Sequence, residues 1–203
     1  MRGPAVDLTD GDHTLKMKRM EESRYFPKMI GPRCYLSPMS DEDAAQYVAW
    51  LNDMEIARNL TVAVQTIAIP AEREYLRAHA ADHTYSIVTK DKDRIIGNVG
   101  LIDINNLERT CEIGVFIGAK DLWGQGYGGE AMVLLMRYAF NYLNMRNIWL
   151  RVFAFNERAI ARYRKLGFQE IGRRRKAIPR EGREHDLVFM DILDEEFFER
   201  HSQ

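Results

Sequence analysis

Cysteine is scarce: Cys34 and Cys111 are the only two in 203 residues. They are too few and too far apart for a disulfide framework or a Cys-x-x-Cys metal pattern. The five histidines, at 13, 79, 83, 185 and 201, share no metal-ligand spacing, so no metal site is expected. An excess of one charge is also missing. Twenty-nine basic residues face thirty acidic ones, which argues against a protein built to neutralise nucleic-acid phosphates. The longest apolar stretches, 60–69 and 131–143, are broken by polar residues and fall short of the ~20 residues of a membrane-spanning helix. Lys16, Lys18 and Arg19 lead into Glu21 and Glu22 rather than an apolar h-region, so no signal peptide is expected. What is present is 46% apolar and 10% aromatic residues, enough for one good core at this length. The expectation is a soluble, cytoplasmic protein of one domain, without nucleic-acid or membrane partners.

Residues 1–30 read as a flexible extension, because Gly3, Pro4, Asp7, Asp10, Gly11 and Asp12 break its start and its apolar periodicity is weak. The folded domain spans 31–194, and 195–203 is a short acidic tail whose simplest form is a solvated helix. Within the domain, 33–37 is a short strand ended by Pro38. Ser40, with Asp43 three residues on, forms a capping box ahead of Ala44, Tyr47, Val48 and Leu51 at helical spacing. A second helix is expected over 70–80 with Pro70 in its first turn; 60–69 reads equally as loop or short strand. Strands over 85–89, 94–104 and 110–117 are joined by short polar connections, which pair antiparallel neighbours. The grammar then changes. A glycine-rich loop opens a helix carrying Ala131, Leu134, Leu135, Tyr138 and Tyr142, followed by a strand over 148–153 and a helix over 156–166 stopped at Gly167. Strands over 168–173 and 186–193 complete a mixed α/β layer, α+β-like in its order.

The informative segment is Trp123, Gly124, Gln125, Gly126, Tyr127, Gly128, Gly129. Four glycines in the six residues 124–129 leave backbone N–H groups unshielded and permit positive φ. At a helix N-terminus those amides and the helix dipole favour an anion, and a diphosphate is the natural guest. Gly124, Gly126 and Gly129 satisfy the dinucleotide pattern Gly-x-Gly-x-x-Gly. Its context fails, because at least three antiparallel strands precede the loop and the following strand ends in Phe153-Ala154-Phe155-Asn156 rather than an acid. No Walker lysine follows either.

These residues resemble the GNAT superfamily of acyl-CoA-dependent N-acyltransferases, whose motif is Gln/Arg-x-x-Gly-x-Gly/Ala. Gly126 and Gly128 match its small positions, Trp123 departs from its first, and the wording Trp-Gly-x-Gly-Tyr-Gly-x-Glu-Ala is similar to the RimJ/RimL-like branch. A second motif agrees: Asn156, Ala159, Ile160, Tyr163, Lys165, Gly167 and Phe168 match Asn-x-x-Ala-Ile-x-x-Tyr-x-Lys-x-Gly-Phe. The resemblance covers 33–193. It implies a GNAT fold with a mostly antiparallel, splayed sheet of about seven strands flanked by about four helices, and acetyl-CoA as cosubstrate. It implies that Val115, Phe116 and Ile117 pair with the pantetheine arm, that residues 123–129 hold the diphosphate, and that Asn156, Ala159 and Tyr163 also meet the cofactor. Gln125 offers a side-chain donor.

Amide formation needs a base for the incoming amine, a donor for the carbonyl oxygen and a proton for the leaving thiolate. The resemblance assigns the proton donor to Tyr163. Glu112, inside an apolar strand where burial would raise its pKa, is the candidate base, and Asp103 is the second choice. Some relatives carry a glutamate five residues before the motif asparagine, where this chain has Arg151. Arg158, Arg162, Arg164 and Lys165 either reach phosphates or form a solvated basic face. The cluster Arg173, Arg174, Arg175, Lys176, Arg180 and Arg183 reads as a solvated hairpin or as a surface for an acidic substrate. Near Trp50 and Asn52, Asp53 and Glu55 offer acids for a cationic amine. The expected reaction is direct acetyl transfer to a primary amine (a protein N-terminus, a polyamine, an amino sugar or a drug), in a possible homodimer. A dinucleotide-dependent oxidoreductase and a non-catalytic CoA-binding sensor are the alternatives.

Overall fold

The computed structural model describes residues 24–202, so most of the expected N-terminal extension lies outside the described residues. Its last part is docked. Tyr25 is buried and its hydroxyl donates to Asp43 Oδ1 at 2.9 Å, while Arg24 Nη2 sits 2.6 Å from the same oxygen. Strand β1 (Met29–Ile30) pairs with β2 (Cys34–Pro38). The boundary expected at residue 30 therefore falls inside the folded unit. The capping box is also corrected: Asp43 is drawn into this cluster, and Ser40 Oγ accepts from Glu42 N at the head of a 3-10 turn that precedes helix α1 (Ala44–Leu51).

Helix α2 (Met54–Ala57) follows, then a 3-10 turn at Thr61–Val64 within the stretch left open between loop and strand, and α3 (Ile69–Ala78) with proline in its first turn. A meander of β3 (Thr84–Thr89), β4 (Ile95–Asn105) and β5 (Thr110–Ile117) leads into α4 (Tyr127–Tyr142), β6 (Asn147–Phe153) and α5 (Glu157–Leu166). Gly167, at φ 110°, ends α5 with Phe168 N bonded back to Tyr163 O, the left-handed stop that glycine permits. Strands β7 (Gln169–Arg180) and β8 (Arg183–Leu193) and helix α6 (Asp194–Arg200) complete the chain.

The eight strands form one sheet in the order β1-β2-β3-β4-β5-β6-β8-β7, antiparallel throughout except for β5 against β6. The extra strand is β1. The six α-helices exceed the expected four by the short α2 and α6. The last hairpin is longer than expected because its turn is only Glu181-Gly182, both at positive φ, the geometry of a tight two-residue connection. The basic cluster thus lies largely on strand. Helix α6 is not simply solvated: Phe197 is fully buried, its ring 5.2 Å from that of Phe140.

Strand alternation supplies two cores, one on each face of the sheet. On β2 and β3, Leu36 and Ile87 face α4, whose Ala131, Met132, Leu135, Met136 and Ala139 form its buried stripe. Tyr35 and Val88 face the opposite way, into a cluster with Tyr47 and Trp50 of α1. The result is a three-layer sandwich with α1–α3 on one side and α4 and α5 on the other.

Candidate active site

The parallel pair β5–β6 is joined only at Thr110–Asn147, Cys111–Ile148 and Glu112–Trp149. Beyond that, residues 113–117 continue along β4 and residues 150–153 along β8, without pairing each other. The sheet splits into a wedge, and two strand edges face one another across it. Val115 and Ile117 turn towards α4, whereas Phe116 turns towards α1, making edge contacts with Tyr47 (6.1 Å) and Trp50 (6.0 Å). The carbonyl of Ile117 accepts from Trp123 Nε1 at 2.7 Å. The tryptophan that departs from the family pattern is therefore an anchor for the glycine loop.

Of the four glycines of the loop, Gly124 (φ 80°) and Gly126 (φ 94°) use the left-handed conformation that favours glycine. Gly128 and Gly129 lie in the first turn of α4, where they let the helix approach Ile117 and Arg162 closely. Gly126 precedes α4 without a side-chain cap, so the helix presents its first-turn amides and positive dipole end to the groove. Gln125 folds back, its Nε2 donating to Asp121 O at 2.9 Å.

Three guanidinium groups gather round this loop. A Cβ at Gly126 would stand 3.2 Å from Arg33 Nη2 and 3.3 Å from Arg162 Nη2, and one at Gly124 would stand 3.8 Å from Arg158 Nη2. Arg158 also lies over the Trp123 ring at 5.7 Å. A groove of about 590 Å³ lies beside the loop, lined by Arg33, Arg162, Gly124, Gly126 and Glu130 among others. Arg33 is held from three directions: its Nε reaches Glu130 Oε2 at 2.9 Å, its Nη1 donates to Gln125 O at 2.7 Å, and its guanidinium covers Tyr127 at 4.8 Å. Glu130 Oε1 also accepts from the backbone amides of Arg33 and Cys34. Burial pushes the Glu130 pKa up, but those amides and the Arg33 guanidinium outweigh it and hold the group below its usual value. Arg33 has no local sequence signal, since its partner lies 97 residues away. Arg158 and Arg162 sit four residues apart on α5 and so share a face; by contrast, Arg164 pairs with Glu170.

On the far side of the wedge, Asn156 caps α5, its Oδ1 accepting from Ala159 N at 3.2 Å. Tyr163, one turn on, packs against the core with its ring 6.0 Å from Phe168, and burial pushes its hydroxyl up to about 12. Glu112 is buried at the closed end of the wedge. Its surroundings differ from the apolar pocket expected for a base with raised pKa: Arg151 donates Nε to Oε1 at 2.8 Å and Nη2 to Oε2 at 2.7 Å. Asp103 sits exposed in the bulge of β4 at φ 50°, and its charge also acts on Arg151. The acids offered for a cationic amine are already engaged, Asp53 and Glu55 both binding Lys120 Nζ (2.7 and 2.6 Å).

A sheet opened at one parallel pair, with a glycine loop at the mouth of the opening, defines an acyl-CoA transferase architecture rather than a dinucleotide-binding one. The loop does lie in a β5–α4–β6 unit, but the strands diverge and β6 ends in Phe153, without a ribose-binding acid. Residues 33–169 match the family model described as acetyltransferase (GNAT) domain. The chain belongs to this family and is an acetyl-CoA-dependent N-acetyltransferase. An uncharacterized N-acetyltransferase, p20, of Bacillus licheniformis is 28% identical over 81% of this chain and 95% of its own length. The spermidine N(1)-acetyltransferase of Vibrio cholerae is 31% identical over 56% of this chain and 65% of its own. The crystal structure of the Vibrio cholerae spermidine N-acetyltransferase with CoA and spermine has the same fold, with a TM-score of 0.73 over 81% of this chain and 98% of the other at 24% identity.

Proposed function

We propose that the chain transfers acetyl from acetyl-CoA to a primary amine by direct attack in a ternary complex, as a RimJ/RimL-like enzyme of the cytoplasm. The carrying observation is the wedge between β5 and β6 leading straight into the arginine-ringed glycine loop. The amides of 124–129, with Arg33, Arg158 and Arg162, hold the diphosphate. The edge of Val115 and Phe116 pairs with the pantetheine amides as an added strand would, and one of those amides supports the developing carbonyl oxygen. The amine nitrogen bonds to the acetyl carbon, the carbon–sulfur bond breaks, and Tyr163 donates a proton to the sulfur. With its pKa at about 12, Tyr163 stays protonated at neutral pH and is available as donor.

Glu112 is the carboxylate at the end of the wedge, and we assign it as the acceptor of the amine proton, through water. Arg151 orients it through the two hydrogen bonds. Asp103 is the second acid of the same charge cluster.

The test is thermal stabilisation by CoA, acetyl-CoA and NAD at equal concentrations. At a hundredfold excess over Kd a specific ligand adds about 2.7 kcal/mol, roughly 5–10 °C at this chain length. A shift with the CoA compounds alone, followed by release of free thiol with an amine present, is expected. A shift with NAD alone overturns the reading. Binding of CoA with no thiol release for any amine leaves the sensor.

A further inference from the structure

At the end of β6, the ring of buried Phe153 lies 5.4 Å from that of half-buried Phe155, an aromatic pair at the open side of the wedge. Three basic side chains surround it. Arg58 of α2 lies over Phe155 at 5.8 Å, His185 of β8 meets the same ring edge-on at 4.8 Å, and Arg180 of β7 lies over Phe153 at 5.7 Å. The acids nearby are already paired, one of them with Arg58 itself. Glu181 pairs with Arg58, Asp53 and Glu55 with Lys120, and Glu112 with Arg151. Asp186 accepts from Lys176 N and acts on Arg173, on the face of β8 opposite His185.

Arg180 is the exception among these groups. Its Nη1 donates to Pro179 O at 3.0 Å, but its Nε is buried and has no hydrogen-bond partner among the described residues. A buried charged donor left without an acceptor is unfavourable, and an anionic oxygen is the partner that relieves it best. A polyamine meets the opposite situation, since it would have to displace Lys120 or Arg58 from their carboxylates and approach Arg180 besides.

Resting on the acetyl-transfer reading, we propose that the amine acceptor carries a carboxylate, bound by Arg180 while its apolar part rests on the half-buried Phe155. Arg180 is thus a specificity residue, and the acceptor is an acidic amino compound rather than a polyamine.

The experiment measures binding of matched probes to the CoA-loaded protein by calorimetry: 4-aminobutanoate against 4-aminobutanamide, alanyl-glutamyl amide against alanyl-glutaminyl amide, and spermidine. In at least one pair the carboxylate is expected to bind about 10- to 100-fold tighter than its amide twin, as one charge-assisted hydrogen bond allows. The first pair answering identifies a small acid; the second alone identifies an acidic peptide. Arg180→Gln brings the ratio to about 1, and Arg180→Lys, which keeps the charge and loses the Nε donor, lowers it partway. Arg183→Gln, exposed across the same turn, keeps it. Equal binding of both twins in each pair, tighter binding of spermidine, or a ratio that survives in Arg180→Gln overturns the proposal. CoA titration of each protein separates the two levels: absence of CoA binding in the wild type defeats the acetyl-transfer reading itself, whereas CoA binding without carboxylate preference defeats only the acidic acceptor.

Discussion

Glu130→Ala tests whether the glycine loop is held in place from the first strands of the sheet. The carboxylate accepts from Arg33 N (2.8 Å), Cys34 N (3.0 Å) and Arg33 Nε (2.9 Å). Cys34 is fully buried, so its amide would lose its acceptor with little water to replace it. Two amide bonds to an ionised acceptor contribute roughly 1.5–3 kcal/mol each. The ion pair itself counts for at most about 1 kcal/mol, because the Arg33 side chain is 48% exposed. A loss of about 3–7 kcal/mol follows, which is roughly 6–28 °C in melting temperature for a domain of this size. Glu130→Gln keeps a carbonyl acceptor and should lose only about 1–2 kcal/mol. Both variants lose the ion pair that orients Arg33 at the loop, so CoA affinity should fall by about tenfold, one charge-assisted contact. Calorimetric melts and CoA titrations check both numbers. The wild-type advantage over Glu130→Ala should also be present above about pH 4.5. It should shrink as pH falls further, because a carboxyl whose folded pKa is depressed gives up its stabilisation on protonation. An Ala variant melting within 2 °C of wild type (under about 1 kcal/mol), with the same CoA affinity, refutes the argument.

Tyr163→Phe should lower kcat by about 10²–10⁴, the range for a lost general acid, while CoA affinity changes little; equal loss in both would make the residue a packing element. Since its hydroxyl is held near 12, wild-type activity should show no alkaline decline from this group below about pH 11. Glu112→Gln should displace the acid limb of the kcat/KM profile, and an intact limb with a lowered melting temperature would reduce the Glu112–Arg151 pair to a structural role. Gly126→Ala forces a left-handed residue to carry a Cβ, which costs roughly 1–2 kcal/mol; unchanged stability and CoA binding would contradict the loop geometry. Gly118→Ala would drive its Cβ into the Trp50 indole and should destabilise by about 1–3 kcal/mol through overpacking, read as a lower melting temperature.

Much of the fold is legible because the local signals agree. The short polar connections of β3, β4 and β5, the glycines opening α4, and Asn156 and Gly167 bracketing α5 all act within a few residues. Other surroundings come from partners distant in sequence: Asp43, Glu112 and the acids Asp53 and Glu55 are each met in the fold by a basic residue from a different element. Arg33 escapes notice for the same reason. The hairpin β7–β8 is underestimated because Glu181-Gly182 is so compact a turn, and because charged residues on an edge strand look like loop. Trp123 departs from the family pattern, and its hydrogen bond to Ile117 O joins the glycine loop to the end of β5, a contact that no motif announces.

The wedge between β5 and β6 leaves two strand edges facing each other inside a single sheet, a place where most folds would place a ladder of hydrogen bonds. In the proposed binding mode an extended amide-bearing arm supplies the missing rungs, which makes the cosubstrate a removable piece of secondary structure. The empty protein then has its weakest seam at the centre of the sheet rather than at its rim, and its resistance to heat and proteolysis rises with the CoA concentration around it.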